Sequence, residues 1–183
     1  YHMKKGWQCN DNSILINGVF EYYKSQPKIN NGKTNIVTHH WSDNFMKGFD
    51  YYDMIDDLCG KRNDITFTYI GRERGTFKNT KVIPPLFGEE LAKELGKYDV
   101  YVTASRYDPG PNHVLESIAC GIPTFSYIEG GGACEFTGKD FIFESFNSLV
   151  EKIDLKSYNK NNMKVSSWEK CMENLNENIF LKC

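Results

Sequence analysis

Several features that define common protein classes are scarce or missing in this sequence. There is no Cys-x-x-Cys pair: the six cysteines, Cys9, Cys59, Cys120, Cys134, Cys171 and Cys183, are scattered along the chain. Cys59 and Cys120 fall within apolar helical patterns, where a thiol behaves as a small hydrophobe, so a reduced, cytoplasmic protein is expected. Charge of one sign is not in excess. Lys+Arg 22 against Asp+Glu 24 gives a formal net charge of −2, which argues against the basic surplus of a nucleic-acid binder. No apolar run approaches the roughly 18 residues that mark a membrane span. The opening residues carry no secretory signal and read as the interior of a longer chain. Internal repeats and low-complexity tracts are missing. So are a Gly-x4-Gly-Lys-Ser/Thr loop and a Ser/His/Asp order, which leaves P-loop and triad chemistry without a foothold.

What is present is ordinary globular composition, 40% hydrophobic and 25% charged, in 183 residues, enough for one core. Its pattern is alternation. Residues 35–39, 65–70, 80–83, 99–104, 123–126 and 140–143 read as strands rich in β-branched and aromatic side chains. Between them lie helical spacings: 47–60 with Phe49, Tyr52, Ile55 and Cys59, then Phe87-Leu91-Leu95, then 111–120, then a weaker one over 146–153. Gly130-Gly131-Gly132 reads as a loop. A polar run around Asn159–Asn162 precedes an amphipathic helix with Trp168, Met172, Leu175 and Ile179. Strand–helix units of this length predict an α/β fold, a Rossmann-like doubly wound parallel sheet. The predicted organisation is a lead-in segment (1–34), the α/β domain (35–165) and a C-terminal helix (166–183).

The most informative stretch is 105–123. A strand, Asp99-Val-Tyr-Val-Thr-Ala104, runs into Asp108 and a Pro-Gly-Pro turn, and a helix comes next with Pro111 in its first turn, Glu116 inside it and Gly121 just past its end. Free backbone N–H groups at such a helix start, at the carboxyl edge of a parallel sheet, suit a phosphorylated ligand. Gly110 removes a side chain where a diphosphate would approach, and the two carboxylates can accept hydrogen bonds from sugar hydroxyls. Lys47, where a loop meets a predicted helix, is electrostatically misplaced unless an anion binds there. Arg72, with Arg74, comes after Gly71 at another strand end and could reach a phosphate by bidentate contact. Ile83-Pro84-Pro85 offers main-chain groups to a nucleobase, and the bare backbone at Gly131 could approach a sugar. His39 and His40 point to opposite faces of a strand and lack partners of metal-ligand spacing, so a metal site is rejected. One of the pair, with Trp41, is expected at the ligand mouth; His113 is expected to be structural.

These residues resemble the C-terminal, donor-binding domain of a GT-B glycosyltransferase, most closely the retaining enzymes of family 4. Asn17-Gly18-Val19 resembles the opening of that domain, Lys47-Gly48 the start of its first helix, and Asp108 to Glu116 its acid–seven–acid motif, with Ala119-Cys-Gly-Ile-Pro123 and a Gly-Gly loop ending in Glu135 after it. Trp168 and the helix after it resemble the family's terminal segment. The first acid is aspartate here rather than the commoner glutamate. Trp41 stands near a position where many relatives carry arginine, for which Arg72 is a candidate substitute.

The resemblance implies that Lys47 binds the diphosphate, Glu116 the ribose and Asp108 the transferred sugar, with Gly110, Pro111 and Asn112 beside the phosphates. It implies a UDP- or GDP-linked sugar donor, a hexosyltransferase reaction with retention by front-face attack, and no cofactor or metal. It also implies a separate N-terminal acceptor domain, outside these residues, through which the enzyme could lie peripherally on a membrane. The isolated chain is then expected to bind nucleotide but transfer sugar poorly. Two other readings are compatible with the sequence: half of another GT-B-like enzyme, such as an epimerase or phosphorylase, and a non-enzymatic α/β binding module.

Overall fold

The computed structural model describes residues 18–156 apart from 73 and 76, together with 161 and 165–176. Asn17, Ile179, Cys9 and Cys183 lie outside the described residues, as does most of the 159–162 run. The chain runs β1 (Gly18–Val19), β2 (Thr34–His40), α1 (Phe49–Lys61), β3 (Ile65–Gly71), β4 (Lys81–Ile83), α2 (Gly88–Leu95) and β5 (Val100–Thr103). It continues with α3 (Asn112–Ala119), β6 (Thr124–Tyr127), α4 (Gly132–Thr137), β7 (Ile142–Phe143), α5 (Phe146–Asp154), β8 (Ser166–Ser167) and α6 (Trp168–Leu175).

Six strands form one sheet in the order β4-β3-β2-β5-β6-β7, every neighbouring pair parallel. The chain starts at the centre, works to one edge, returns, and works to the other. Strand order therefore reverses between β2 and β5, where Ile36 and Val37 pair with Val100 and Tyr101. In a doubly wound sheet this reversal opens a crevice beyond the carboxyl ends of the strands. Separately, β1 pairs in parallel with β8, so the segment before the main sheet lies beside the one after it.

The sheet is buried on both faces, as parallel sheets are. Alternation decides which side chain goes where. Ile36, Val100 and Val102 join a cluster with Phe49, Tyr52 and Ile55 of α1 and Leu149 and Ile153 of α5. Their neighbours Val37 and Tyr101 join a second cluster with Leu91 and Leu95 of α2 and Val114, Leu115 and Ile118 of α3. Cys59, Cys120 and Cys134 carry free thiols. Burial pushes the Cys59 thiol up to about 11 and that of Cys120 to about 12, so both pack as apolar groups. Among the described residues no helix is long and apolar enough to cross a membrane.

Three local expectations change. The predicted helix over 47–60 is interrupted: Phe45–Lys47 is a single tight turn, Gly48 takes the left-handed conformation at φ +87°, and only then does α1 begin. A β-carbon at Gly48 would meet the Ala104 carbonyl oxygen at 2.4 Å, so the break fits glycine alone. Gly130–Gly132 is only partly a loop, because Gly132 starts the six-residue α4, which buries Ala133 and Phe136. Glycine's poor helix propensity hid that helix. Phe87 does not extend the core stripe of α2; it caps the helix, 47% exposed, with its ring centroid 3.9 Å from that of Trp41.

Candidate functional site

A cleft of about 550 Å³ opens at the carboxyl edge of the sheet, over the reversal between β2 and β5. Its floor comes from the end of β2, where His39, His40 and Trp41 succeed one another. One wall is the Asp108–Glu116 segment, and the other is built from Tyr22 and Tyr23 after β1 with Pro85 to Gly88 before α2.

Lys47 and Asp108 meet on this cleft. Lys47 Nζ donates to Asp108 Oδ2 at 3.1 Å, with side chains 28% and 16% exposed. The loops that carry them are tied together. Arg106 N–H donates to the Met46 carbonyl at 2.8 Å, and its guanidinium grips both oxygens of Asp50, at the head of α1, at 2.9 and 2.6 Å. The guanidinium also lies 5.2 Å from the Tyr127 ring centre and 5.8 Å from those of Phe45 and Tyr51. Burial raises the Asp50 carboxyl, but the Arg106 hydrogen bonds outweigh it and the net shift is downward. On the far side, Asp108 bridges to Gly131, and its carbonyl accepts the Gly132 N–H at 2.8 Å. Gly131 sits at φ +66°, and a β-carbon there would come within 2.9 Å of that same carbonyl.

Glu116, one and a half turns into α3, is held at both oxygens. Tyr23 Oη donates to Oε1 at 2.9 Å, and His39 Nε2 lies 2.9 Å from Oε2. Behind them, Tyr101 Oη is 3.1 Å from His39 Nδ1. His40 turns to the other face of β2, with Nε2 2.6 Å from Tyr52 Oη. Tyr52 Oη already receives the Ala104 N–H at 3.1 Å and the Thr38 hydroxyl at 3.3 Å, which fill its two lone pairs, so its proton goes to the imidazole. Burial, reinforced by neighbouring His113, His39 and Lys47, depresses the His40 pKa well below its ordinary value; His113 is depressed by burial, then by His39 and Lys47. Both rings are therefore neutral at pH 7, and their centroids lie 4.9 Å apart. Burial also pushes the Tyr52 phenol up to about 12.

Of the twelve residues singled out from the sequence, Lys47, Asp108, Glu116, Trp41, Gly71, Gly110, Pro111 and Asn112 line this one cleft. Four do not. Arg72 has its guanidinium over the Trp41 ring, 5.7 Å from the ring centre. Ile83 packs against the core, and Pro84 is exposed off the cleft; Pro85, the third residue of that stretch, does line the wall, with Leu86. Gly131 stands behind Asp108, where its bare backbone accommodates that residue. Both histidines of the His39-His40 pair line the cleft, and so does His113, 2.9 Å from Thr103 Oγ1 and only 9% exposed. Tyr23 carries no local signal; its role is visible only once β1 has brought it to α3.

A model of the family described as glycosyl transferases group 1 matches residues 52–178. No curated protein has a sequence that matches this one. Solved structures do. HepE of Anabaena, in complex with UDP-glucose, superposes with a TM-score of 0.65 at 14% identity, over 90% of this chain and 56% of its own. S. aureus TarM, in a complex that includes UDP, gives 0.64 at 15% identity, over 96% and 38%. The C-terminal domain of a glycosyl transferase group 1 family protein, LpcC of Francisella tularensis, gives 0.59 at 17%, over 75% of this chain and 87% of that domain. The chain thus spans about half the whole enzymes or less, and most of the isolated C-terminal domain. At these identities the likeness establishes the fold, a Rossmann-like domain as in GT-B glycosyltransferases.

Proposed function

Because the chain belongs to the glycosyl transferases group 1 family, we propose that its cleft is the donor site of a retaining hexosyltransferase that uses a nucleoside-diphosphate sugar. The observation that carries this reading is the convergence of one cation, two carboxylates and a helix start on a single cleft at the strand-order reversal. Lys47 and the first N–H groups of α3, with the side-chain-free Gly110, receive the diphosphate. Glu116 takes the ribose hydroxyls and Asp108 the transferred sugar. The complexes of HepE with UDP-glucose and of TarM with UDP support a UDP-linked ligand; GDP-linked sugars have the same recognisable parts.

In the reaction, the bond from the anomeric carbon to the diphosphate breaks while one to the acceptor oxygen forms on the same face. The acceptor proton passes to the departing phosphate oxygen. Lys47 and the α3 N–H groups stabilise the charge gathering on that phosphate, which is fixed electrostatic catalysis and requires no metal. An acceptor domain outside these residues completes the site and provides any peripheral contact with a membrane, so the isolated chain binds nucleotide but transfers sugar poorly.

Thermal shift with UDP, GDP and ADP tests the reading. At ~100-fold excess over Kd one of them stabilises the chain by about 2.7 kcal/mol. That shift disappears in Glu116→Ala. Absence of any shift with all three nucleotides and their sugars would refute the assignment.

A further inference from the structure

We infer that Tyr23 and His39 are positioning residues that present the Glu116 carboxylate to a vicinal diol, and so make the site demand an intact ribose. The inference rests on the donor-site reading and extends it to residues outside the acid–seven–acid motif.

A carboxylate oxygen has two lone pairs and no proton to give. At Glu116 one donor engages each oxygen: the Tyr23 hydroxyl at Oε1 and the His39 ring at Oε2, both at 2.9 Å. One lone pair therefore remains on each, and Glu116 lines the cleft with 21% of its side chain exposed. Two acceptors roughly 2.2 Å apart on a carboxylate match two adjacent hydroxyls, much as they match the two N–H groups of an arginine. A single hydroxyl uses half of the arrangement.

Both donors are themselves fixed. Because Glu116 can only accept, His39 Nε2 must carry hydrogen. The other ring nitrogen, Nδ1, lies 3.1 Å from Tyr101 Oη, and that same oxygen takes the His39 backbone N–H at 3.2 Å. Burial raises the Tyr101 phenol well above its ordinary pKa, so it keeps the proton it donates. The Tyr23 phenol is raised too, by burial and then by the Glu116 charge. Tyr101, His39 and Glu116 thus form one hydrogen-bonded series anchored in the core, with Tyr101 fully buried and His39 7% exposed. Tyr23 reaches the same carboxylate from a segment 93 positions away.

The test compares UDP and GDP with their 2′-deoxy counterparts by calorimetry on the 183-residue chain. The expected ribose preference of the better-binding nucleotide is about 10–100-fold, as for hydrogen bonds to a charged acceptor. Tyr23→Phe, which keeps the buried ring, lowers that preference by about 3–10-fold while the deoxynucleotide binds nearly as before. His39→Leu does the same, and His39→Gln restores most of the preference because its amide can still donate. A general structural role would instead weaken both nucleotides alike, and that result would overturn the inference. An unchanged preference in both variants, or none in the wild type, overturns it as well. If none of UDP, GDP, ADP and their sugars binds the wild-type chain, the donor-site reading falls and this inference falls with it. Ribonucleotide binding without ribose preference removes this inference alone.

Discussion

Lys47 Nζ lies 3.1 Å from Asp108 Oδ2 although 61 positions separate them in the sequence. The pair places a cation and an anion in contact on the cleft, and each keeps a partial opening to it. In the proposed donor complex the cation serves the diphosphate and the acid the sugar.

Lys47→Ala is expected to separate binding from stability. Loss of a charge-assisted contact lowers nucleoside-diphosphate affinity by about 10–100-fold. The melting temperature changes little, because a partly exposed ion pair contributes about 0–1 kcal/mol. Calorimetry and a thermal melt on the same variant decide it; unaltered nucleotide affinity would remove Lys47 from the site.

Gly48→Ala should do the opposite. Its β-carbon would press on Ala104 backbone at 2.4 Å, at a φ of +87° that disfavours side chains. The expected cost is at least about 1–3 kcal/mol of folding stability, visible as an earlier urea midpoint. A variant as stable as the wild type would show that the break before α1 is not needed.

Acidification should weaken the fold in a window set by His40 and His113. Both have folded pKa values below the unfolded value of about 6.5. The unfolded chain then binds more protons than the native one as pH drops beneath that value. Stability is present above it and declines as pH falls, until the folded pKa values are reached. Each imidazole adds a slope of up to about 1.36 kcal/mol per pH unit. Urea titrations between pH 7.5 and 5 measure the slope, and His113→Gln should reduce it by about half. An undiminished slope in that variant would show that His113 takes no part.

Asp56 predicts a second, lower window. It is 3% exposed and accepts from Lys78 N–H at 3.0 Å, Asn79 N–H at 2.8 Å and Thr80 Oγ1 at 2.6 Å. Burial raises its carboxyl, but these hydrogen bonds outweigh that and the pKa is lowered. Its contribution is therefore present above the unfolded value of about 3.9 and lost as pH falls through the folded one. Asp56→Asn should cost about 1–3 kcal/mol at pH 7, since an amide cannot match the acceptor capacity. A midpoint equal to that of the wild type at pH 7 would contradict this.

How much of this was legible in the sequence depended on range. Strand and helix identities came through because β-branched runs such as Ile65–Ile70 and apolar spacings such as Phe49-Tyr52-Ile55 are local. A parallel sheet could be inferred from their alternation. Lys47 and Asp108 could be singled out because each sits where a strand or loop meets a helix, and such junctions collect at one sheet edge; Glu116 could because it follows in the helix that starts there. The break at Gly48 was hidden, because it answers to Ala104, a residue on a different strand end. Tyr23 was hidden for the same kind of reason: nothing within several residues of it hints at Glu116. Arg72 reads as a phosphate ligand from its place after Gly71; that its guanidinium lies over the Trp41 ring, 5.7 Å from its centre, depends on a contact that local pattern does not reveal.

Arg106 gives the cleft one last property. It joins the turn before α1, the head of α1 and the end of β6 at Tyr127. In the proposed donor complex an incoming diphosphate would meet anchors that are already tied together, so little chain entropy would be lost on capture. Occupancy of this half-site should leave its own loops much as they were.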